Sequence, residues 1–146
     1  VTSFSTNKFL PYTPNQLFEL VADVKSYPQF ILGILETSVD PITPNLFKAH
    51  VRFGNRLFQN QYDCQVELNP FQSIVIKGLD GPFTHMNSQW IFSPDPQKTG
   101  TKVAFSVDFA FKNKLLQHLG GPIFHQLTQR MMQAFEERAK TIFSHF

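Results

Sequence analysis

LLQHLGGPIFHQLTQRMMQAFEERAKTIF, residues 115–143, is the stretch on which the fold turns. Leu116, Gly120, Ile123, Leu127, Met131, Ala134, Phe135 and Arg138 recur every three or four residues, the period of an α-helix with one apolar stripe. The spacing predicts one long C-terminal helix from Asn113 to about His145. Such a helix cannot bury its own stripe and needs a partner surface of comparable size. Gly120-Gly121-Pro122 interrupts the pattern. Glycine costs a helix interior about 1 kcal/mol and proline about 3 kcal/mol, so the helix is expected to kink or restart there. Two readings stand side by side: a bend that follows a curved partner, or small residues that open volume beside Ile123, Phe124 and Leu127.

The preceding chain supplies the partner. Thr2 to Leu10 reads as an opening strand. Thr13-Pro14 with Gln16 resembles a capping box for a helix over Pro14 to Ala22, and a short helix Val24 to Tyr27 follows, stopped by Pro28. Leu35 to Val39 reads as a weak strand, and the prolines in Asp40–Asn45 predict a turn. Phe47–Phe53 alternates, with Phe47, Ala49, Val51 and Phe53 inward and Lys48, His50 and Arg52 outward. Strands follow at Leu57–Leu68, Ser73–Leu79 and His85–Phe92, with a sharp turn at Asp80-Gly81-Pro82. Thr101–Phe111 carries the clearest alternation: Val103, Phe105, Val107, Phe109 and Phe111 share one face.

Composition bounds the function. With 146 residues the chain is read as one domain, residues 1–146, burying about two thirds of its unfolded surface. Seventeen Phe against one Trp and three Tyr mean either an ordinary core or the lining of a cavity for an apolar ligand. A net charge of +2 is not a nucleic-acid signature, and no DNA partner is expected. Cys64 is the one cysteine, which excludes an intrachain disulfide and a cysteine metal cluster and favours a reducing compartment. No run approaches the roughly eighteen apolar residues of a membrane span, and the first residues lack signal-peptide features, so a soluble protein is expected. His50, His85, His118, His125 and His145 are the candidate bases or ligands. His118 and His125 share the helix but stand two turns apart, too wide for a compact zinc pair, and no metal is expected. Glu19 and Asp23 read as a solvated face and a cap. No nucleophile elbow or phosphate loop is present.

Four ordered blocks, YTPNQLFELVADVKSYPQF (12–30), LDGPFTHMNSQWIFSP (79–94), TKVAFSVDFAFKNKLL (101–116) and MMQAFEERA (131–139), resemble the START-like proteins of the polyketide cyclase/dehydrase superfamily. Within it they are similar to the ubiquinone-binding branch, which includes the mitochondrial coenzyme Q chaperone and bacterial relatives. The chain departs from the branch at Gly33-Ile34, where a Trp-Cys pair is typical, and in the shorter Asp40–Asn60 region.

The resemblance implies an α+β helix-grip fold, START-like and Bet v 1-like, in which a curved antiparallel sheet wraps a long C-terminal helix around a hydrophobic tunnel. The tunnel walls are expected from Phe30, Phe53, Phe58, Tyr62, Met86, Trp90, Phe105, Phe109, Ile123, Phe124, Leu127 and Met131. The ligand-facing part of the helix is expected between Gly120 and Met131, with plain core packing from Phe135 on. Leu17, Val21, Tyr27, Pro28, Pro82 and Phe83 are expected at the portal or lid. Asn60, Tyr62, Ser88 and Trp90 are candidate polar contacts. The implied ligand is ubiquinone or another isoprenoid lipid, carried without catalysis, with no cofactor required and with transient peripheral membrane contact assisted by Lys25, Lys112 and Lys114. The implied location is the bacterial cytoplasm at the inner membrane, or the mitochondrial matrix in a eukaryote.

Two alternatives come with the same resemblance. One is association with the large ribosomal subunit, as for a toxin-like bacterial relative, for which Lys48, His50, Arg52 and Arg56 would form the RNA-facing surface. The other is a cyclase, which would require acid and base groups converging in the tunnel.

Overall fold

The computed structural model describes residues 2–97 and 99–143. It contains β1 (Thr2–Leu10), α1 (Pro14–Ala22), a 3-10 turn (Val24–Gln29), β2 (Ile34–Thr43), β3 (Leu46–Gly54), β4 (Gln59–Asn69), β5 (Ser73–Asp80), β6 (Phe83–Pro94), β7 (Thr101–Phe111) and α2 (Lys114–Phe143). The seven strands form one antiparallel sheet in the order β1-β7-β6-β5-β4-β3-β2. From β2 to β7 the chain meanders between neighbours, and β1 returns to pair with β7 in unbroken register from Thr2↔Phe109 to Leu10↔Thr101. This is the expected helix-grip arrangement.

Alternation decides which face curves around α2. In β7, Val103, Phe105, Val107 and Phe109 are buried while Lys102 and Ser106 are exposed, the period of a half-buried strand. Ala49, Val51 and Phe53 do the same in β3, and Cys64 and Val66 in β4. The Thr13 capping box forms as read: its hydroxyl accepts from the Gln16 N–H at 3.1 Å, and the Gln16 side chain accepts from the Thr13 N–H at 3.0 Å.

The stripe that α2 buries is Gly120, Phe124, Leu127, Thr128, Met132, Phe135 and Ala139. It is rotated from the expected one: Met132 is buried in place of Met131, and Leu116, Ile123, Ala134 and Arg138 flank the contact half-buried.

Three proline readings need correction. Pro41 does not end β2, which runs on to Thr43. As the last strand of the sheet β2 is an edge, where proline is tolerated, and the register shift between Pro41 and Thr43 absorbs it. Pro28 lies inside the 3-10 turn, because the closing bonds come from the N–H groups of Phe30 and Ile31 to the Tyr27 carbonyl, at 3.2 and 2.9 Å, and need no donor at Pro28. Pro122 lies within α2, which continues as one helix through Gly120-Gly121-Pro122 without a restart. Gly120 marks a close approach. A Cβ there would stand 2.9 Å from the Phe58 ring and 3.2 Å from the Phe111 ring, so the space is filled by aromatic rings and not left for a ligand. At Gly121 a Cβ would meet only the Gln117 Cγ, at an ordinary contact distance of 3.9 Å.

Candidate functional site

Between the sheet and α2 lies a cavity of about 60 Å³. Its walls come from β2 to β7, the 3-10 turn and α2. On the sheet side the middle of the cavity faces small or branched side chains: Ala49 and Val51 of β3, Cys64 and Val66 of β4, Ser88 of β6 and Val107 of β7. On the helix side it faces Phe124, Leu127, Thr128, Met131 and Phe135.

Two aromatic clusters bound it. At the end where α2 begins, Phe53, Tyr62, Phe83 and Phe109 gather around Phe124, with ring centroids as close as 4.7 Å for Phe109–Phe124 and 4.9 Å for Phe83–Phe124, and Phe111 packs on Phe83 and Phe109. At the other end Trp90 meets Phe105 at 4.5 Å and Phe135 at 5.1 Å, and Phe135 meets Tyr27 at 5.3 Å. Edge-to-face pairs of this kind add to area burial and hold ring positions.

The polar groups on the walls are few. Tyr27 donates its hydroxyl to the Val21 carbonyl in the last turn of α1, tying the 3-10 turn over the cavity. Thr128 donates to the His125 carbonyl at 2.9 Å. Among the described residues the Tyr62 hydroxyl, the Ser88 hydroxyl and the Trp90 indole N–H have no hydrogen-bond partner. Burial pushes the Tyr27 and Tyr62 phenols far above their ordinary range and the Cys64 thiol up to about 12. All three stay protonated and neutral at physiological pH. No carboxylate, histidine or lysine is among the lining residues.

Of the residues expected to line the tunnel, Tyr62, Met86, Trp90, Phe105, Phe124, Leu127 and Met131 do so. Phe53 and Phe109 belong to the aromatic cluster behind the wall. Phe58 fills the notch at Gly120, Phe30 packs outside against Tyr27 and Phe135 beneath Arg138, and Ile123 faces an outer cleft. Phe135, expected to be plain packing, is a wall residue. Val24, Ile34 and Ile76 were not anticipated as wall residues, and neither were the small side chains of β3, β4 and β7. Of the expected portal set only Tyr27 touches the cavity; Leu17 and Val21 are core on the buried face of α1, Phe83 joins the ring cluster, and Pro28 and Pro82 are absent from the lining. Asn60 turns its side chain to the Gln61 N–H and does not reach the cavity.

The outer basic face is also not what its sequence suggests. Lys48 pairs with Asp63 at 3.8 Å, Arg52 with Glu36 at 3.8 Å, and His50 sits between Asp63 at 2.5 Å and Asp40 at 3.0 Å. Hydrogen bonds to the Asp40 and Asp63 carboxylates raise the His50 pKa above its ordinary value. His118 and His125 are exposed on α2, His85 pairs with Asp108 at 3.3 Å, and His145 lies outside the described residues. Among the described residues no group of three or more His, Cys, Asp or Glu side chains is arranged to hold a metal ion.

The sequence pattern of the family described as polyketide cyclase/dehydrase and lipid transport matches residues 10–136. The chain belongs to this family. Among its relatives the ribosome association toxin RatA of Escherichia coli is 34% identical over 140 residues, covering 96% of this chain and 88% of that one. The coenzyme Q-binding protein COQ10 homolog B of Xenopus laevis is 27% identical, covering 96% of this chain and 59% of that one. Among solved structures, an 18 kDa protein of Caulobacter crescentus matches with 29% identity, a TM-score of 0.75 and 99% coverage of both chains. The Zhui aromatase/cyclase of Streptomyces matches with a TM-score of 0.82 at 11% identity, covering 99% of this chain and 98% of that one. At that identity the likeness concerns the fold alone.

Proposed function

We propose that this family member takes up an apolar ligand with a polar ring, of the isoprenoid quinone class, in the cavity between sheet and α2 and carries it without chemical change. The observation that carries the reading is the combination of an apolar enclosure with three unpartnered donors, Tyr62, Ser88 and Trp90, on its wall. A quinone presents carbonyl acceptors to such donors, and its tail gains about 0.8 kcal/mol for each methylene removed from water. The name of the Xenopus relative, a coenzyme Q-binding protein, agrees with this chemistry. A cyclase needs a group that takes or gives a proton at neutral pH. The ionisable wall groups, Tyr27, Tyr62 and Cys64, are all held protonated by burial, which argues for carriage over catalysis.

At about 60 Å³ the cavity is well below the roughly 300–1,000 Å³ of sites that enclose drug-sized ligands. Uptake therefore requires the walls to move, and Met86 and Met131, unbranched and adaptable, are suited to it. The place of action we assign is the cytoplasmic face of a bacterial inner membrane, or the matrix face in a mitochondrion. The test is mass spectrometry of lipids that accompany the gently purified protein, together with titration of short-tailed benzoquinones against its methyl and aromatic resonances. An isoprenoid quinone in the purified sample and shifts confined to cavity residues are expected. A lipid-free sample whose interior resonances ignore quinones would end the reading.

Association with the large ribosomal subunit is the second reading, favoured by the 34% identity to the Escherichia coli toxin named for it. Of the surface first suggested for it, Lys48, His50 and Arg52 are paired with carboxylates and Arg56 alone stands without an ion pair among the described residues, which leaves it little long-range attraction for RNA. Salt-sensitive co-sedimentation with purified large subunits tests this reading directly.

A further inference from the structure

A second concavity, of about 420 Å³, opens on the outside of the molecule between the loop before β2, the β3–β4 turn and the side of α2. The two loops are tied by a hydrogen bond from the Gly54 N–H to the Gly33 carbonyl at 2.9 Å. Leu127 belongs to the wall of this cleft and also to the wall of the inner cavity. Leu127 is thus the residue that the two hollows have in common. Gly33 faces it with φ +102°, and a Cβ there would stand 2.9 Å from the Leu127 Cδ1. Glycine leaves that methyl the room in which it sits.

The surroundings of the cleft are unusual for a soluble surface. Leu32 is 81% and Leu57 95% exposed at the tips of the two loops. Along α2, Leu115, Leu119, Ile123, Gln126 and Arg130 follow one another at intervals of three or four residues and so share one helical face, with Leu115 66% and Leu119 44% exposed. Arg56 and Arg130 line the cleft, and among the described residues neither has an ion-pair or hydrogen-bond partner. No carboxylate lines it. Glu137 shares an adjoining hollow with Arg130, and Glu36, which follows Leu35 of the cleft, pairs with Arg52 at 3.8 Å. Lys112 and Lys114 stand exposed at the start of the same helix.

We propose that this cleft is the mouth of the cavity, with Leu127 as its gate, and that it seats on an anionic phospholipid bilayer. The proposal rests on the cavity reading above and adds the place of entry and the surface that delivers the ligand. Protruding leucines enter the acyl boundary while unpaired guanidinium groups meet lipid phosphates, the combination by which interfacial surfaces hold to anionic membranes. RNA would be met instead by a basic stripe with stacking aromatic rings, and the rim carries leucines in that place. The portal thus moves from α1 and the 3-10 turn to the loop that follows them, where it meets the β3–β4 turn and α2.

The experiment is flotation of the protein with vesicles of phosphatidylglycerol and phosphatidylcholine, beside vesicles of phosphatidylcholine alone. The variants are Arg56→Glu with Arg130→Glu, and Leu32→Ser with Leu57→Ser. All four positions are exposed, so the fold should persist. In parallel, quenching of Trp90, the one tryptophan and a wall residue, by a short-tailed benzoquinone in solution reports on the cavity without a membrane. We expect wild-type protein to float with the anionic vesicles only, each double variant to lose at least tenfold in vesicle affinity, and quenching to stay unchanged. Wild-type protein that does not float, or flotation within twofold of wild type after arginine reversal, overturns the docking surface whatever Trp90 does. Large ribosomal subunits bound by wild type and released by the arginine reversal, without flotation, also overturn it and assign the surface to RNA. Absent quenching in wild type overturns the cavity reading on which the mouth depends, and flotation then marks a membrane contact with no ligand entrance.

Discussion

The interior of the protein has two parts built on the same strands, and they are filled in opposite ways. Near the start of α2, Phe53, Phe83 and Phe109 close ring upon ring around Phe124, with Phe111 against Phe83. One or two residues further along the same inner faces, β3 offers Ala49 and Val51, β4 offers Cys64 and Val66, and β7 offers Val107. Where phenylalanine stands the space is full, and where small side chains stand a cavity remains. Three of the seventeen phenylalanines, Phe105, Phe124 and Phe135, line it. A Phe-rich composition therefore reports the plug, and the cavity is written in what is small.

The largest expected effect tests the plug. Phe53 is 0% exposed and touches the rings of Tyr62, Phe83 and Phe124. Phe53→Ala should cost about 3–5 kcal/mol of stability, since the rigid neighbours cannot collapse into the space; urea unfolding measures it. In the cavity, filling should have the reverse profile. Ala49→Val adds two methyl groups beside the void and should change stability by less than about 1.5 kcal/mol while lowering quinone affinity about tenfold. A loss of several kcal/mol for both variants would mean that the two regions are packed alike.

The donors give the next effect. Tyr62 lines the cavity with a hydroxyl that has no partner among the described residues, so Tyr62→Phe should leave stability nearly unchanged. Affinity for a quinone should fall by the worth of one neutral hydrogen bond, about 0.5–1.5 kcal/mol, or roughly twofold to tenfold. Isothermal titration with a short-tailed quinone and with its carbonyl-free hydrocarbon analogue separates the bond from the packing, because only the quinone should lose affinity.

Much of the architecture was legible because alternation and helical period report burial directly. Thr101–Phe111 was read with its observed bounds, and the Thr13 cap came from three residues. What was not legible depended on neighbours distant in sequence. Pro41 is harmless only because β2 is an edge, which strand order decides. Met131 and Met132 could not be told apart by period, since adjacent positions on a helix differ by about 100° and the sheet selects between them. Phe135 looks like any core residue until Trp90 and Tyr27 come to meet it. The pairing of Lys48, His50 and Arg52 with carboxylates from β2 and β4 is likewise a product of register, not of local sequence.

The two glycines of α2 sharpen the same contrast within one turn. Gly120 faces the Phe58 and Phe111 rings, whereas Gly121 meets nothing closer than the Gln117 Cγ at 3.9 Å. Alanine in a helix interior is favoured over glycine by about 1 kcal/mol, but a Cβ just before Pro122 crowds the proline ring, so Gly121→Ala should raise stability by only part of that amount. Gly120→Ala gains the same propensity but forces its methyl group into two rings, and overpacking of a filled site costs about 1–3 kcal/mol. It should therefore be neutral or destabilising. Thermal unfolding of the pair measures the difference, and equal stabilisation by both would show that the plug has slack.

The smallest effect belongs to the outer face of the strands that wall the cavity. Carboxylates of Asp40 and Asp63 raise the His50 pKa in the folded protein above its value of about 6.5 in the unfolded chain. The stabilisation is then fully present below about pH 6.5 and is lost as pH rises through the raised folded value. His50 is solvent-exposed, so screening holds the gain to a few tenths of a kcal/mol. The melting temperature of wild type relative to His50→Gln should accordingly fall slightly between acidic and mildly alkaline pH. Quinone affinity should be the same for both proteins across that range, because the imidazole and the cavity lie on opposite faces of β3. A pH-dependent loss of affinity that follows His50 would couple the two faces through the β3 and β4 backbones, and the cavity wall would then be softer than its packing indicates.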